Sequence, residues 1–143
     1  MRNHYCLCLL LLLSVRCKDQ TSEPVPSDPY ERWVSYGSHN YTVTQVLSCY
    51  CANRGEAMRI TVRSDTIALV NRLSDSAEIP RSQWIAYSTI EGLFGIIRFG
   101  PKTDSLVVTY NSQYGYPERL DVNPQLHPVD GGYLFETSSL QIP

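Results

Sequence analysis

Charge is scarce in this chain of 143 residues: 18% are Asp, Glu, Lys or Arg, with 12 basic against 14 acidic and a formal net charge of −2. That balance lacks both the basic footprint of a nucleic-acid binder and the charge excess of a disordered chain. Gly-x-Ser-x-Gly, a phosphate-cradling Gly-rich loop and His-Glu-x-x-His are all missing, so the usual sequence signatures of a hydrolase elbow, a P-loop and a zinc-protease helix are absent. No apolar run reaches the roughly 20 residues of a bilayer-spanning helix. No repeat of fixed period is present, and the length suits one domain. What remains is a chain that is 43% hydrophobic and carries ten tyrosines, five cysteines and three histidines.

The first thirty residues point to export. Arg2 and His4 form a short positive head, Tyr5 to Val15 is an uncharged run with six leucines, and Arg16-Cys17-Lys18-Asp19 ends it. Such a run is too short to span a membrane but matches the roughly 7–15 residue core of a signal peptide. Leu13-Ser14-Val15-Arg16-Cys17 is similar to the lipobox of bacterial lipoproteins, in which the cysteine takes a diacylglyceryl thioether. Arg16 stands where Gly, Ala or Ser is usual, and ordinary cleavage after Cys17 would instead release a secreted protein. The expected division is a lipoprotein-type signal at 1–16, a polar tether with Pro24 and Pro26 at 17–28, and one domain at 29–143. Without Arg2 and Arg16 the mature part carries about −4, a surface that should not seek DNA or anionic lipid. Its membrane contact would be the lipid on Cys17.

The domain reads as α+β, an antiparallel sheet of two meanders with five to six strands and its helices on one face. Asp28-Pro29 predicts the start of a short helix that ends at Gly37. Alternation predicts strands over 40–51, 58–63 and 66–71, with Ser64-Asp65 as the turn. Residues 72–87 read as a loop. Ser88-Thr89-Ile90-Glu91 has the form of a capping box, and Ile90, Leu93, Phe94 and Ile97 then make one helical stripe that stops at Gly100-Pro101. Burying that stripe contributes on the order of 6–12 kcal/mol before ordering entropy is subtracted, so this main helix should cover the sheet. Gly92 and Gly95 lie off the stripe and suggest close approach to another element. Strands are expected over 105–111, 119–122 and 133–140, with turns at 112–117 and Asp130-Gly131-Gly132.

Several segments line up here in order: Trp33, the Tyr41 strand, Cys49-Tyr50-Cys51, Arg59-Ile60-Thr61-Val62, Ser88-Thr89-Ile90-Glu91-Gly92-Leu93-Phe94, Val107-Val108-Thr109-Tyr110-Asn111, Tyr114-Gly115-Tyr116-Pro117, Leu120-Asp121-Val122 and Asp130-Gly131-Gly132. Over roughly residues 30–140 this set resembles a bacterial family known as domain of unknown function 6174. The resemblance implies a small exported protein or lipoprotein and brings no known activity. The chain departs from the family pattern at Ser64-Asp65-Thr66, where Asp-Gly is usual, and at Asn111, where Asp is usual. The loss of that carboxylate counts against a shared metal ligand or catalytic acid at position 111.

Cys6 and Cys8 leave with the signal and Cys17 would be lipidated, which leaves Cys49 and Cys51 to bond each other. In an extended strand their α-carbons would lie about 6.6 Å apart on one face, near the upper limit for a disulfide, so bridging needs a bend. Closing so short a loop gains only about 1.6 kcal/mol in the entropy model. The pair therefore has two readings: a structural disulfide of an oxidising compartment, or a thiol-exchange site helped by a cation such as Arg54 or Arg59. Cys49, Cys51, His39 and His127 are suitable atom types for zinc, but the spacing is atypical and no metal or other cofactor is expected. Asp121, Asp130 and Glu136 read as solvated carboxylates unless they converge in a cleft. Tyr110, Tyr114, Tyr116 and Tyr133 read either as a binding surface or as sheet packing, with Tyr114 and Tyr116 the expected exposed members. No catalytic set emerges. The expectation is a tethered or secreted envelope module that binds a protein or small-molecule partner, with thiol exchange through Cys49 and Cys51 as the alternative.

Overall fold

The computed structural model describes residues 25–129 and 131–143. The expected export segment at 1–16, Cys17, most of the expected tether and Asp130 lie outside the described residues. Helix α1 (Pro29–Ser35) opens as its sequence requires: the Asp28 carboxylate accepts from the Glu31 amide at 2.9 Å, and Pro29 occupies the first turn. The strands are β1 (Tyr41–Ser48), β2 (Ala57–Arg63), β3 (Thr66–Arg72), β4 (Leu106–Tyr110), β5 (Pro117–Val122) and β6 (Tyr133–Gln141), with helix α2 (Ile90–Phe99) between β3 and β4. All pair antiparallel in one sheet, ordered β3-β2-β1-β6-β5-β4. The architecture is the expected α+β class, with two meanders joined where β1 meets β6.

Register explains which face is buried. Along β1, Tyr41, Val43, Gln45 and Leu47 point inward. Val62, Ile60 and Met58 of β2 lie opposite the first three, and Thr137 and Phe135 of β6 lie opposite Gln45 and Leu47. Trp33 of α1 and Ile90, Leu93 and Phe94 of α2 close over this face to complete the core. The alternate residues, including Thr44, Arg59, Thr61 and Arg63, stand on the open face and are partly or fully exposed. Gln45 is the polar member of the inward row. Its amide donates to the Ser88 carbonyl at 2.7 Å and accepts from the Ser88 N–H at 3.2 Å, which satisfies backbone groups that a loop cannot pair by itself.

Four local expectations are corrected. The first strand stops at Ser48, because Cys49 to Cys51 bend away from the ladder. The loop after β3 contains a 3-10 turn over Arg81–Ala86, and a second one spans Pro124–Val129; both are too short and too irregular to show a period. The N-cap of α2 is Thr89 rather than Ser88, with the Thr89 hydroxyl accepting from the Gly92 amide at 3.0 Å. The glycines of α2 do not mark an approach to another element. A Cβ at Gly92 would strike the Ser88 hydroxyl, and one at Gly95 would meet nothing within 4 Å.

Gly95 therefore weakens α2 without filling a tight space. Gly95→Ala is expected to raise stability by about 0.5–1 kcal/mol in denaturant melts. A loss of stability would show that the space around Gly95 is needed.

Candidate functional site

Strand pairing defines two ends of the molecule. Tyr41 pairs with Val62 and Thr42 with Gln141, so the start of β1, the β2–β3 turn and the close of β6 share one end. Residues 25–28, the described part of the expected tether, lead into α1 at this end, where Arg32 donates to the Pro26 carbonyl at 2.9 Å and to the Ser112 carbonyl of the β4–β5 turn at 2.6 Å. Ser48 pairs with Leu134 and Val122 with Tyr133, so the β1–β2 loop and the segment between β5 and β6 share the opposite end. The Arg81–Ala86 turn joins them there through Asn53, which donates to Gln83 at 2.7 Å.

The two domain cysteines lie at this far end. With the chain bent after Ser48, the α-carbons of Cys49 and Cys51 come to 5.3 Å and the sulfurs are bonded to each other. The bend that the Cys-x-Cys spacing demands is thus present. Cys51 is exposed, while Cys49 is partly buried against the core. Arg54 lines an open cleft of about 370 Å³ with both cysteines, Tyr50 and Ala52. Arg59, the other expected cation, stands on the sheet face opposite Thr44 and takes no part in that cleft.

Asp121 and His127, separated by six positions, are brought together beside the cysteines. Asp121 is buried on the face opposite the main core. Its Oδ2 accepts from Arg119 at 2.8 Å, and its Oδ1 lies 3.0 Å from His127 Nε2 without hydrogen-bond alignment, a contact that is an ion pair only when the imidazole is protonated. A small cleft of about 30 Å³ is shared by Ser48, Cys49, Tyr50, Arg54, His127 and Gly132. Sequence alone could not find this arrangement, because His127 reaches Asp121 only through the 3-10 turn. His39 lies at the tether end, where its Nδ1 is 2.8 Å from Asp65 Oδ2, so the two histidines do not converge with the cysteines on a metal. Glu136 shares Arg119 with Asp121 at 3.5 Å, which makes that pair of carboxylates an ion-pair network.

The tyrosines do not form one surface. Tyr116 is only 4% exposed, contrary to its expected place at an open turn. Tyr114 is half-buried against Tyr36, Tyr110 stacks on Phe94, and Tyr133 packs edge-on against Phe135 at the other end of β5. The turn folds down on α1 because Gly115, at φ 81°, brings its backbone against the Pro29 carbonyl, where any Cβ would collide. Asn111 serves this turn: its Oδ1 accepts from the amides of Gln113 and Tyr114 at 3.0 and 2.8 Å.

A second ionisable cluster was not evident in the sequence. Because Thr89 caps α2, Glu91 is released from the capping-box role, and its carboxylate accepts from Trp33 Nε1 and from the Tyr41 hydroxyl, each at 2.8 Å. That hydroxyl also accepts from the Ile90 amide at 2.8 Å. Three elements meet in this knot. It borders a cleft of about 170 Å³ that also carries His39 and Asp65.

Against this geometry, the model of the family of unknown function DUF6174 matches residues 27–142. The chain belongs to that family. No curated protein and no solved structure matches it. In this DUF6174 member the matched span takes in both meanders, both helices and both clusters of ionisable groups.

Burial, and then the Glu91 charge, hold the Tyr41 phenol well above its ordinary range; burial also raises Tyr87, Tyr110, Tyr116 and Tyr133. A phenol raised in the fold stabilises it fully below the unfolded value of about 10, and that contribution is lost as pH rises toward the folded value. Stability should therefore fall above pH about 10. Tyr41→Phe leaves Glu91 and the Ile90 amide each short of a partner. It should cost about 2–3 kcal/mol at neutral pH and flatten the alkaline loss, as read by denaturant melts between pH 7 and 11. An unchanged alkaline slope would count against the Tyr41 assignment.

Proposed function

We propose that this DUF6174 domain is an exported interaction module, held at a membrane surface by a lipid on Cys17 and a short tether, that meets its partner with the end opposite the tether. The observation that carries this reading is the exposure of large apolar side chains at that end. Tyr50 is 83% exposed at the β1–β2 loop and Ile85 is 94% exposed on the 3-10 turn linked to it. Phe99 of α2 is as exposed, at 82%, but Tyr50 and Ile85 stand on two loops that meet at one end, and aromatic groups are frequent anchors of binding surfaces. Arg54 beside Tyr50 adds a cation to the same end. The partner that fits is a protein with an apolar patch and acidic rim, since a domain of about −4 offers little to an anionic membrane or to nucleic acid. Among the described residues no helix is long and apolar enough to cross a membrane.

A photocrosslinking residue at position 50 or 85 of the full chain, produced in its own envelope, should capture one defined partner, whereas the same residue at Thr61 on the open sheet face should not. Tyr50→Ser together with Ile85→Ser should lower the capture at neighbouring Ala52 by about tenfold or more. Equal capture from position 61 would reject the far end as the contact surface. Intact mass should show a diacylglyceryl addition that Cys17→Ser abolishes; a cleaved, unmodified chain would instead mean secretion without a lipid anchor.

A further inference from the structure

We infer that the Cys49–Cys51 disulfide is a thiol-exchange site with built-in polarity: Cys51 is the sulfur attacked, Cys49 is the sulfur that leaves, and His127, positioned by Asp121, receives the leaving thiolate. This goes beyond the docking reading and does not require it, because the exchange depends only on the groups around the disulfide and not on the exposed apolar side chains. Three independent observations meet at the pair. Cys51 is exposed and Cys49 is partly buried, so an incoming thiolate has access to one sulfur before the other. The cleft that Cys49 lines without Cys51 holds His127, a side chain that stabilises a thiolate when protonated, while Arg54 lines both this cleft and the one shared by the two cysteines. The imidazole is also held in place. Asp121 lies at its Nε2, Arg119 braces Asp121 from β5, and Gly132 clears the space that the ring occupies, since a Cβ there would collide with His127 Cδ2.

With Nε2 turned to Asp121, Nδ1 is the nitrogen available to exchange protons. A partner thiolate attacks Cys51 Sγ, the S–S bond breaks, and Cys49 leaves as a thiolate that takes a proton from imidazolium. A second thiolate of the same partner then attacks the partner sulfur of the mixed disulfide and releases Cys51. The balance is closed: a dithiol of the partner is oxidised to its disulfide, and the two protons its thiols give up to water on forming thiolates are returned, one to the Cys51 thiolate and one to the imidazole that protonated Cys49. Exchange is faster when the leaving sulfur is the better-stabilised thiolate, and the assignment of Cys49 follows from that. The charged groups facing the imidazole are Asp121 and, through it, Arg119 from β5, with Glu136 of β6 behind Arg119, and Arg54 from the β1–β2 loop. The substrate class is a pair of thiols on an extracytoplasmic protein.

The test uses the oxidised full-length mature chain and glutathione as the probe, with the mixed disulfide trapped by acid and located by peptide mass spectrometry. The expected result is glutathione on Cys51 in about tenfold excess over Cys49. His127→Gln should slow formation at pH 6 by about tenfold, while His39→Gln, at the tether end, should leave the rate unchanged. The folded state of each variant is checked by circular dichroism. Dithiothreitol should then yield two free thiols per chain. Equal trapping at both sulfurs overturns the polarity in the wild-type protein, with no variant needed. Equal rates for His127→Gln and wild type at pH 6 overturn the role of the imidazole.

Discussion

Strands β1 and β6 hydrogen-bond to one another at the middle of the sheet, although one stands near the start of the domain and the other at its close. Every other strand pair is built from neighbours in sequence, so each meander can form locally. Only the β1–β6 ladder fuses them and covers the inner edge that each would otherwise expose. The helices depend on it as well. Tyr41, Gln45 and Leu47 of β1 and Phe135 of β6 make the floor on which α1 and α2 rest. Closing so distant a contact costs chain entropy, and it is recovered only when both layers pack together.

Polar groups enter that packed interior under strict terms. Gln45 faces a loop that presents one donor and one acceptor, and its amide matches both. Glu91 meets an indole and a phenol, each of which buries an apolar body and offers one hydrogen bond. Asp121 sits on the other face between a guanidinium and an imidazole. An unpartnered charge in such places would cost several kcal/mol, so these contacts fix how the layers align in addition to filling space. The first two concern the scaffold. The third lies at the far end, beside the two cysteines.

Much of the fold was legible because its strands alternate cleanly and α2 has one apolar stripe. Val62, Ile60 and Met58 face the core together for the same reason that they stand two apart in the chain. The Glu91 knot was not legible. Ser88 and Glu91 fit a capping box by spacing, but Gln45 already satisfies the Ser88 backbone, so the cap moves to Thr89 and the carboxylate is released to Trp33 and Tyr41. Tyr116 reads as exposed from its place in a turn, and only the close approach of Gly115 to α1 explains its burial. Of the candidate site, the cysteine pair followed from elimination and spacing. Its surroundings did not, since Asp121, His127 and Gly132 are collected by a short 3-10 turn that leaves no periodic trace.

The placement of β1 beside β6 also sets how the domain bears load. They run antiparallel, and Thr42 lies opposite Gln141, so the start of one strand adjoins the finish of the other. A pull applied between those two points would strain the rungs of the ladder one after another, as in opening a zipper, and not all at once as in shear. The seam that unites the two halves is therefore the place where tension would part them, first at the Thr42 rung and last beside the cysteines.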